Sequence, residues 1–255
     1  MAAVQISREL KRLVPQLRYE PTAKRLRARL GDELVLESRR AIVLWEPGRH
    51  LPVHAVPEDD VVGRLEPATP GEGGANHTAD GDLLTVRAGG HTAAGKAFRL
   101  TDPHLSGYIV FETDAFDWFE EDELVIGHPR DPFSRIDIRA TSRHVRVLLD
   151  GAVLAETTRS VILFEGRLPP RSYIPREDVN WDVLQSVELV TVCPYKGHAH
   201  YWTAPGLGDG RPVAWSYGPE FPEMAQIHGL VAFFDERTDV EVDGRVSARP
   251  STAWT

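Results

Sequence analysis

The chain has one cysteine, Cys193, and two methionines in 255 residues. A single thiol excludes an intramolecular disulfide framework and the small stapled folds that depend on one. No apolar run approaches the ~20 residues that span a bilayer, and no secretory leader is evident, so the expected location is cytoplasmic. Basic residues are outnumbered, 29 Lys and Arg against 38 Asp and Glu, for a formal net charge of −9. That balance argues against nucleic acid or an anionic membrane as a generic partner, because both require an excess of cationic side chains to displace counterions. Long helical periodicity is missing too, while proline (19) and glycine (21) are plentiful, which leans the chain toward β structure with many turns.

What is present is a string that occurs twice. Arg40 to Val61, RAIVLWEPGRHLPVHAVPEDDV, resembles Arg159 to Val179, RSVILFEGRLPPRSYIPREDV, and places Glu46 on Glu165 and Asp60 on Asp178. Arg40, Leu44, Glu46, Arg49, Pro52, Pro57, Asp60 and Val61 are identical to their counterparts, more than composition supplies by chance. The composition is that of a globular protein, and the length admits one large domain or two ordinary ones; the repeat selects two. The expected fold is mainly β, two tandem compact β-sheet domains with few short helices. The division is an N-terminal arm over 1–16, a first repeat over 17–136 and a second over 137–255.

Local patterns fill in this outline. ISRELKRLV, within residues 1–16, reads as a short amphipathic helix stopped by Pro15. Leu26, Ala28 and Leu30 alternate with arginines, the period of a half-buried strand, and Gly31-Asp32 turns it back. In the second repeat Asp150-Gly151 joins His144–Leu149 to Ala152–Ala155, the dipeptide a two-residue hairpin turn prefers. Ala41–Trp45 and Ser160–Phe164 are continuous apolar runs and read as buried strands. The prolines of LPPRSYIP point to an extended edge or loop, and Glu66–Asp82 reads as a polar, mobile insert in the first repeat. Gly107–Ile138 aligns with Arg211–Val242, setting Phe111 on Trp215 and Asp131 on Asp235, with 137–143 as the domain boundary.

The repeats differ most at Thr191–Trp202, TVCPYKGHAHYW, set against TVRAGGHTAAGK in the first. Cys193 is a possible nucleophile whose thiolate Lys196 would favour. Lys196 lies among Tyr195, Tyr201 and Trp202, and a buried ammonium there needs an anionic ligand or an acid, either Glu165 or Asp178. Glu165, recurring as Glu46, also suits a structural pair with Arg159 or Arg171. His198 and His200 share one strand face, but without a second ligand pair no metal site is expected. Three resemblances to known motifs fail: Gly90–Lys96 lacks the Ser or Thr of a phosphate-binding loop, Gly206–Gly210 is a hairpin loop, and Glu120–Glu123 is a solvated acidic run.

The strings TTRSVILFEGRLPPRSYIPREDV, CPYKGHAHYW, VAWSY and GLVAFFDERTDVEVDG closely resemble the bacterial and fungal family catalogued as Domain of Unknown Function 427, over most of 136–245. Signature positions present are Arg159, Glu165, Tyr173, Pro175, Asp178, Cys193, Tyr195, Lys196, Gly197, Trp202, Trp215 and Tyr217. The resemblance implies a compact β-tent-like domain, and the first half looks like a diverged copy. Zinc does not carry over, because the paired Cys-x-x-Cys ligands of related zinc modules are absent. The family has been labelled nucleotidyltransferase-like, but it brings no established catalytic role and no cofactor.

The function expected from these residues is binding of a small anionic or nucleotide-like molecule in the second domain. Lys196 is the anion-binding group, helped by Arg159 or Arg171, with Glu165, Tyr173 and Tyr195 nearby and Trp202, Trp215 and Tyr217 as walls. One alternative is an enzyme, either nucleotidyltransferase-like or a transferase or hydrolase using Cys193 and Lys196. Another is an interaction module offering its sheet edges. The sequence specifies neither the oligomeric state nor the ligand.

Overall fold

A computed structural model describes residues 3–71, 73, 77–166 and 168–255. The chain divides into two units, Met1–Asp131 and Pro132–Thr255. Unit 1 opens with the helix α1 (Ile6–Leu13), none of whose residues is buried. Its strands are β1 (Arg18–Pro21), β2 (Leu26–Leu30), β3 (Glu33–Ser38), β4 (Ile42–Trp45), β5 (Val53–Pro57), β6 (Arg64–Pro67), β7 (Gly81–Ala88), β8 (His91–Leu100), β9 (Tyr108–Phe111), β10 (Asp117–Glu120) and β11 (Glu123–Leu124). Those of unit 2 are β12 (Ile136–Ala140), β13 (Val145–Leu149), β14 (Ala152–Thr157), β15 (Val161–Glu165), β16 (Arg171–Ile174), β17 (Gln185–Cys193), β18 (Gly197–Thr203), β19 (Ala214–Tyr217), β20 (Val231–Phe233), β21 (Asp239–Val242) and β22 (Arg245–Val246).

Each unit packs a seven-stranded sheet against a four-stranded one, and the two topologies agree strand for strand. The large sheets run β1-β4-β5-β9-β8-β7-β6 and β12-β15-β16-β20-β19-β18-β17; the small ones run β11-β10-β2-β3 and β22-β21-β13-β14. The strands of these sheets pair antiparallel, and inward residues alternate with outward ones. In unit 2 the inner layer joins Ile174, Trp202, Ala214 and Phe233 of the large sheet to Val145, Val147 and Val240 of the small one. The other face of that large sheet carries a second cluster, with Leu163, Tyr173, Trp215 and Phe234 in it and the short 3-10 helix Pro222–Ile227 against it.

The hairpins follow their turn residues. Asp150 (φ 49°) and Gly151 (φ 81°) both take the left-handed conformation, as do Asp243 (φ 52°) and Gly244 (φ 75°) between β21 and β22. Leu149 thereby faces Ala152, the mirror-type turn that matches strand twist. The repeated residues form a second device. Thr157 donates to Asp178 at 2.6 Å, Arg159 donates to the same carboxylate at 2.8 Å, and the Arg159 amide donates to Thr157. Ser38, Arg40 and Asp60 make the same clip in unit 1.

Four expectations are corrected. Arg171–Ile174 is an interior strand between β15 and β20, because Pro169 and Pro170 precede it and Pro175 follows it rather than interrupting its ladder. Phe164 is 41% exposed, so the second apolar run is covered on one side only. Residues 137–143 lie inside unit 2, with 136–140 forming β12. Finally, the strand registers set Phe111 on Phe233 and Ala97 on Ala214, and Gly81–Leu84 on Ala199–Trp202. Short shared strings do not set this register, because the links before β7 and β18 differ greatly in length: residues 68–80 against 194–196.

Gly151→Ala forces a Cβ into a left-handed turn although nothing else lies within 4 Å. Urea unfolding is expected to show a loss of about 1 kcal/mol. Gly90→Ala, equally open and without a positive φ, should leave the midpoint unchanged.

Candidate functional site

The end of β15 carries Glu165, and the tight turn 194–196 between β17 and β18 carries Lys196. The turn closes when the Lys196 amide donates to the Cys193 carbonyl at 3.3 Å. Gly197 follows with φ 95°, a conformation that disfavours any side chain, and an added Cβ would also lie 2.5 Å from the Glu220 carboxylate. This geometry turns the Lys196 side chain inward. It is 7% exposed, donates to Glu165, and holds its ammonium 5.7 Å from the centre of the Tyr217 ring. A buried ammonium requires such a partner, since removing a lone charge from water costs far more than a single hydrogen bond returns.

Around this pair the outer face of the large sheet supplies aromatic groups. Tyr173 is buried and meets Trp215 edge-on, Trp215 packs on Phe234 at 4.5 Å, and Tyr201 stacks on Phe234. Burial raises the phenol of Tyr217, with Tyr173, Cys193, Tyr201 and Glu165 adding to it. Burial raises Tyr173 as well, against a hydrogen bond from Trp215. Both phenols therefore stay protonated at neutral pH. Cys193 is half-buried at the end of β17, and Tyr195 is half-buried in the turn itself.

The remaining expected site residues go elsewhere. Arg159 stands before β15, at the opposite end from Glu165, and is engaged by Asp178; the same clip in unit 1 marks it as structural. Trp202 lies in the inner layer, edge-on to Trp181 with Arg176 beside it, because it alternates with Tyr201 along β18. Arg171 is buried and bridges two carboxylates, Asp235 at 3.1 Å and Glu236, so it is not a free anion-binding group. Neither Arg159 nor Arg171 is the partner of Glu165; Lys196 is. His198 stands 3.4 Å from Glu220 and His200 is exposed. Among the described residues no three His, Cys, Asp or Glu side chains gather as metal ligands.

Unit 1 holds the corresponding carboxylate, Glu46, by other means. His77 hydrogen-bonds it at 2.7 Å, and the amides of Thr78 and Ala79 donate to it. Burial pushes Glu46 up, but these hydrogen bonds outweigh it and hold the carboxylate below its ordinary value. The polar stretch 66–82 thus contains an ordered anchor, with His77 stacked on Phe98 at 4.0 Å; residues 72 and 74–76 of it lie outside the described residues. Sequence reading missed this anchor, and it missed Asp235 and Glu236. The charged run Asp235–Arg237, directly after the apolar β20, was the available signal for the acidic pair.

Replacing Lys196 by Met strands Glu165 and should cost about 3 kcal/mol in urea unfolding. The Lys196→Met, Glu165→Leu double variant should lose less than the single one. Asp235 adds a pH dependence. Burial, then the repulsion of Glu236, outweigh Arg171 and push its carboxyl up to about 6. The native state therefore binds this proton more tightly than the unfolded chain does. The contribution to stability is full below the unfolded value near 4 and is lost as pH rises through about 6. Asp235→Asn should flatten that part of the stability profile.

No curated protein matches the chain. A family match does exist, and it lies within unit 2: residues 137–244 fit the model of a family described as a domain of unknown function (DUF427).

Proposed function

We propose that the chain is a tandem duplication in which unit 2 binds a small molecule and unit 1 has become its filled structural sister. The supporting observation is a register-by-register exchange on the outer face of the large sheet. Where unit 1 has Ala55, Leu83 and Leu100, unit 2 has Tyr173, Tyr201 and Tyr217. Hydrocarbon is replaced by phenol at three positions of one face, beside the only buried lysine of the unit's described residues. A purely structural face gains little from hydroxyls, each of which must be hydrogen-bonded or pay for burial. The Tyr201 hydroxyl meets Thr191 at 2.6 Å.

An ammonium has three N–H donors. Glu165 takes one and fixes the direction of the group, which leaves the others for an acceptor oxygen of a ligand, as in a phosphate or carboxylate. Tyr217 stands beside it as a neutral second donor. In this reading Cys193 and Tyr195 border the ligand, Trp215 forms a wall, and Arg159 and Trp202 serve the scaffold.

A thermal-shift screen of the full chain against inorganic phosphate, nucleoside triphosphates and sugar phosphates tests the reading. At least one compound should raise Tm, and Tyr217→Phe, which removes only an oxygen, should abolish the rise while leaving the unliganded Tm nearly unchanged. A rise that Tyr217→Phe leaves intact would place the ligand elsewhere.

A further inference from the structure

Unit 2 contains a cavity of about 260 Å³ at the open end of its two sheets. Ile162 and Ser172 line it from the large sheet, Val145, Val240 and Val242 from the small one, and Ser247, Ala248 and Pro250 of the C-terminal stretch border it. The origin of this space is visible in unit 1, where the register-matched positions are filled. Ser172 corresponds to His54, Val240 to Trp118 and Val242 to Glu120. His54 is 1% exposed, lies 4.9 Å from the Trp118 ring and 3.4 Å from the Glu120 carboxylate, and Lys24 also reaches that carboxylate. An imidazole, an indole and a carboxylate in one unit are thus replaced by a hydroxymethyl group and two isopropyl groups in the other. Where unit 1 packs these side chains together, unit 2 leaves a partly open pocket.

The polar wall of the cavity gives the chemistry of what fills it. Asp235 lines the space, and behind it Arg171 is shared between Asp235 and Glu236. Arg171 is divided between the two carboxylates, and the further cation nearby, Arg237, acts on Glu236, so Asp235 is left with part of one positive charge. The other charged group on the lining, Arg143, is already paired with Asp243 at 2.8 Å. Aliphatic side chains make up most of the remaining surface, and the volume is below the ~300–1,000 Å³ of drug-sized pockets.

We propose that this cavity is a binding site for a small organic ammonium ion, with its cationic head on Asp235 and its alkyl body against Val145, Ile162, Val240 and Val242. The site is separate from the outer face that carries Lys196, and the two stand or fall independently. The ligand supplies in unit 2 the bulk that His54 and Trp118 supply in unit 1, and the positive charge that the Arg171 group lacks. The groups facing Asp235 are Arg171, Glu236 and, across the cavity, Arg143.

Titration of the full chain with n-butylammonium chloride, followed by amide NMR, tests the proposal, with 1-butanol as the uncharged comparison. Shifts are expected at Val145, Ser172, Val240 and Val242, and weaker ones with 1-butanol. Because Asp235 takes up a proton near pH 6, affinity should fall about tenfold between pH 7 and pH 5. Asp235→Asn should abolish the preference for the cation over the alcohol. Val240→Trp, which restores the indole of unit 1 without removing a charge, should abolish binding of both. Absence of shifts at the lining residues, or butylammonium binding unaffected by either substitution, would overturn the proposal.

Discussion

A carboxylate stands at the C-terminal end of the same strand in both units, and neither Glu46 nor Glu165 can be left unpaired. Withdrawn from water, each must receive hydrogen bonds or a counter-charge, or the strand end cannot stay where it is. The donors come in both cases from the chain just ahead of the matching strands of the large sheets, β7 and β18. Unit 1 brings His77 and two backbone amides; unit 2 brings the ammonium of Lys196. One demand, met by a neutral-capable ring and amides on one side and by a full charge on the other, ties the sheet together at this point. It also decides which unit carries a donor with capacity to spare.

The same division runs through the rest of the two units. Where unit 1 presents Ala55 and Leu100, unit 2 presents phenols; where unit 1 closes its open end with His54 and Trp118, unit 2 leaves space beside Asp235. The shared parts are those that the fold needs. The Ser38–Arg40–Asp60 clip and its counterpart Thr157–Arg159–Asp178 are nearly superimposable in chemistry, and they account for two of the recurrent positions in the repeated string. Recurrence inside this chain therefore marks scaffold, and departure from recurrence marks the places where the two units differ in chemistry.

Much of the architecture could be read directly from the residues. Period-2 alternation at Leu26–Leu30, the Asp150-Gly151 turn and the repeated string led to two mainly β units, and Cys193, Lys196, Tyr173, Trp215 and Tyr217 do share one region. The pairing of Glu165 was narrower than the residues could indicate: Lys196, Arg159 and Arg171 were all eligible partners, and only the tight turn 194–196 selects the first. Trp202 was misplaced because an aromatic beside Lys196 in sequence need not share its face; strand parity sends it to the inner layer. The second alignment failed for a related reason. Short strings such as Thr-Val and Gly-His recur by composition, whereas register depends on loop lengths that the residues alone do not fix. The cavity had no local signal at all, since it exists only as a difference in volume between distant strands.

Lys196 is buried, and Glu165 fixes its ammonium. Nitrogen-detected NMR of the lysine ammonium groups in the full chain tests it most directly. The account predicts one resolved ammonium signal, from Lys196, with slow exchange against water, and release of that signal into the solvent-exposed group in Glu165→Gln. A Lys196 ammonium that exchanges as fast as the surface lysines in the unmodified chain would contradict it.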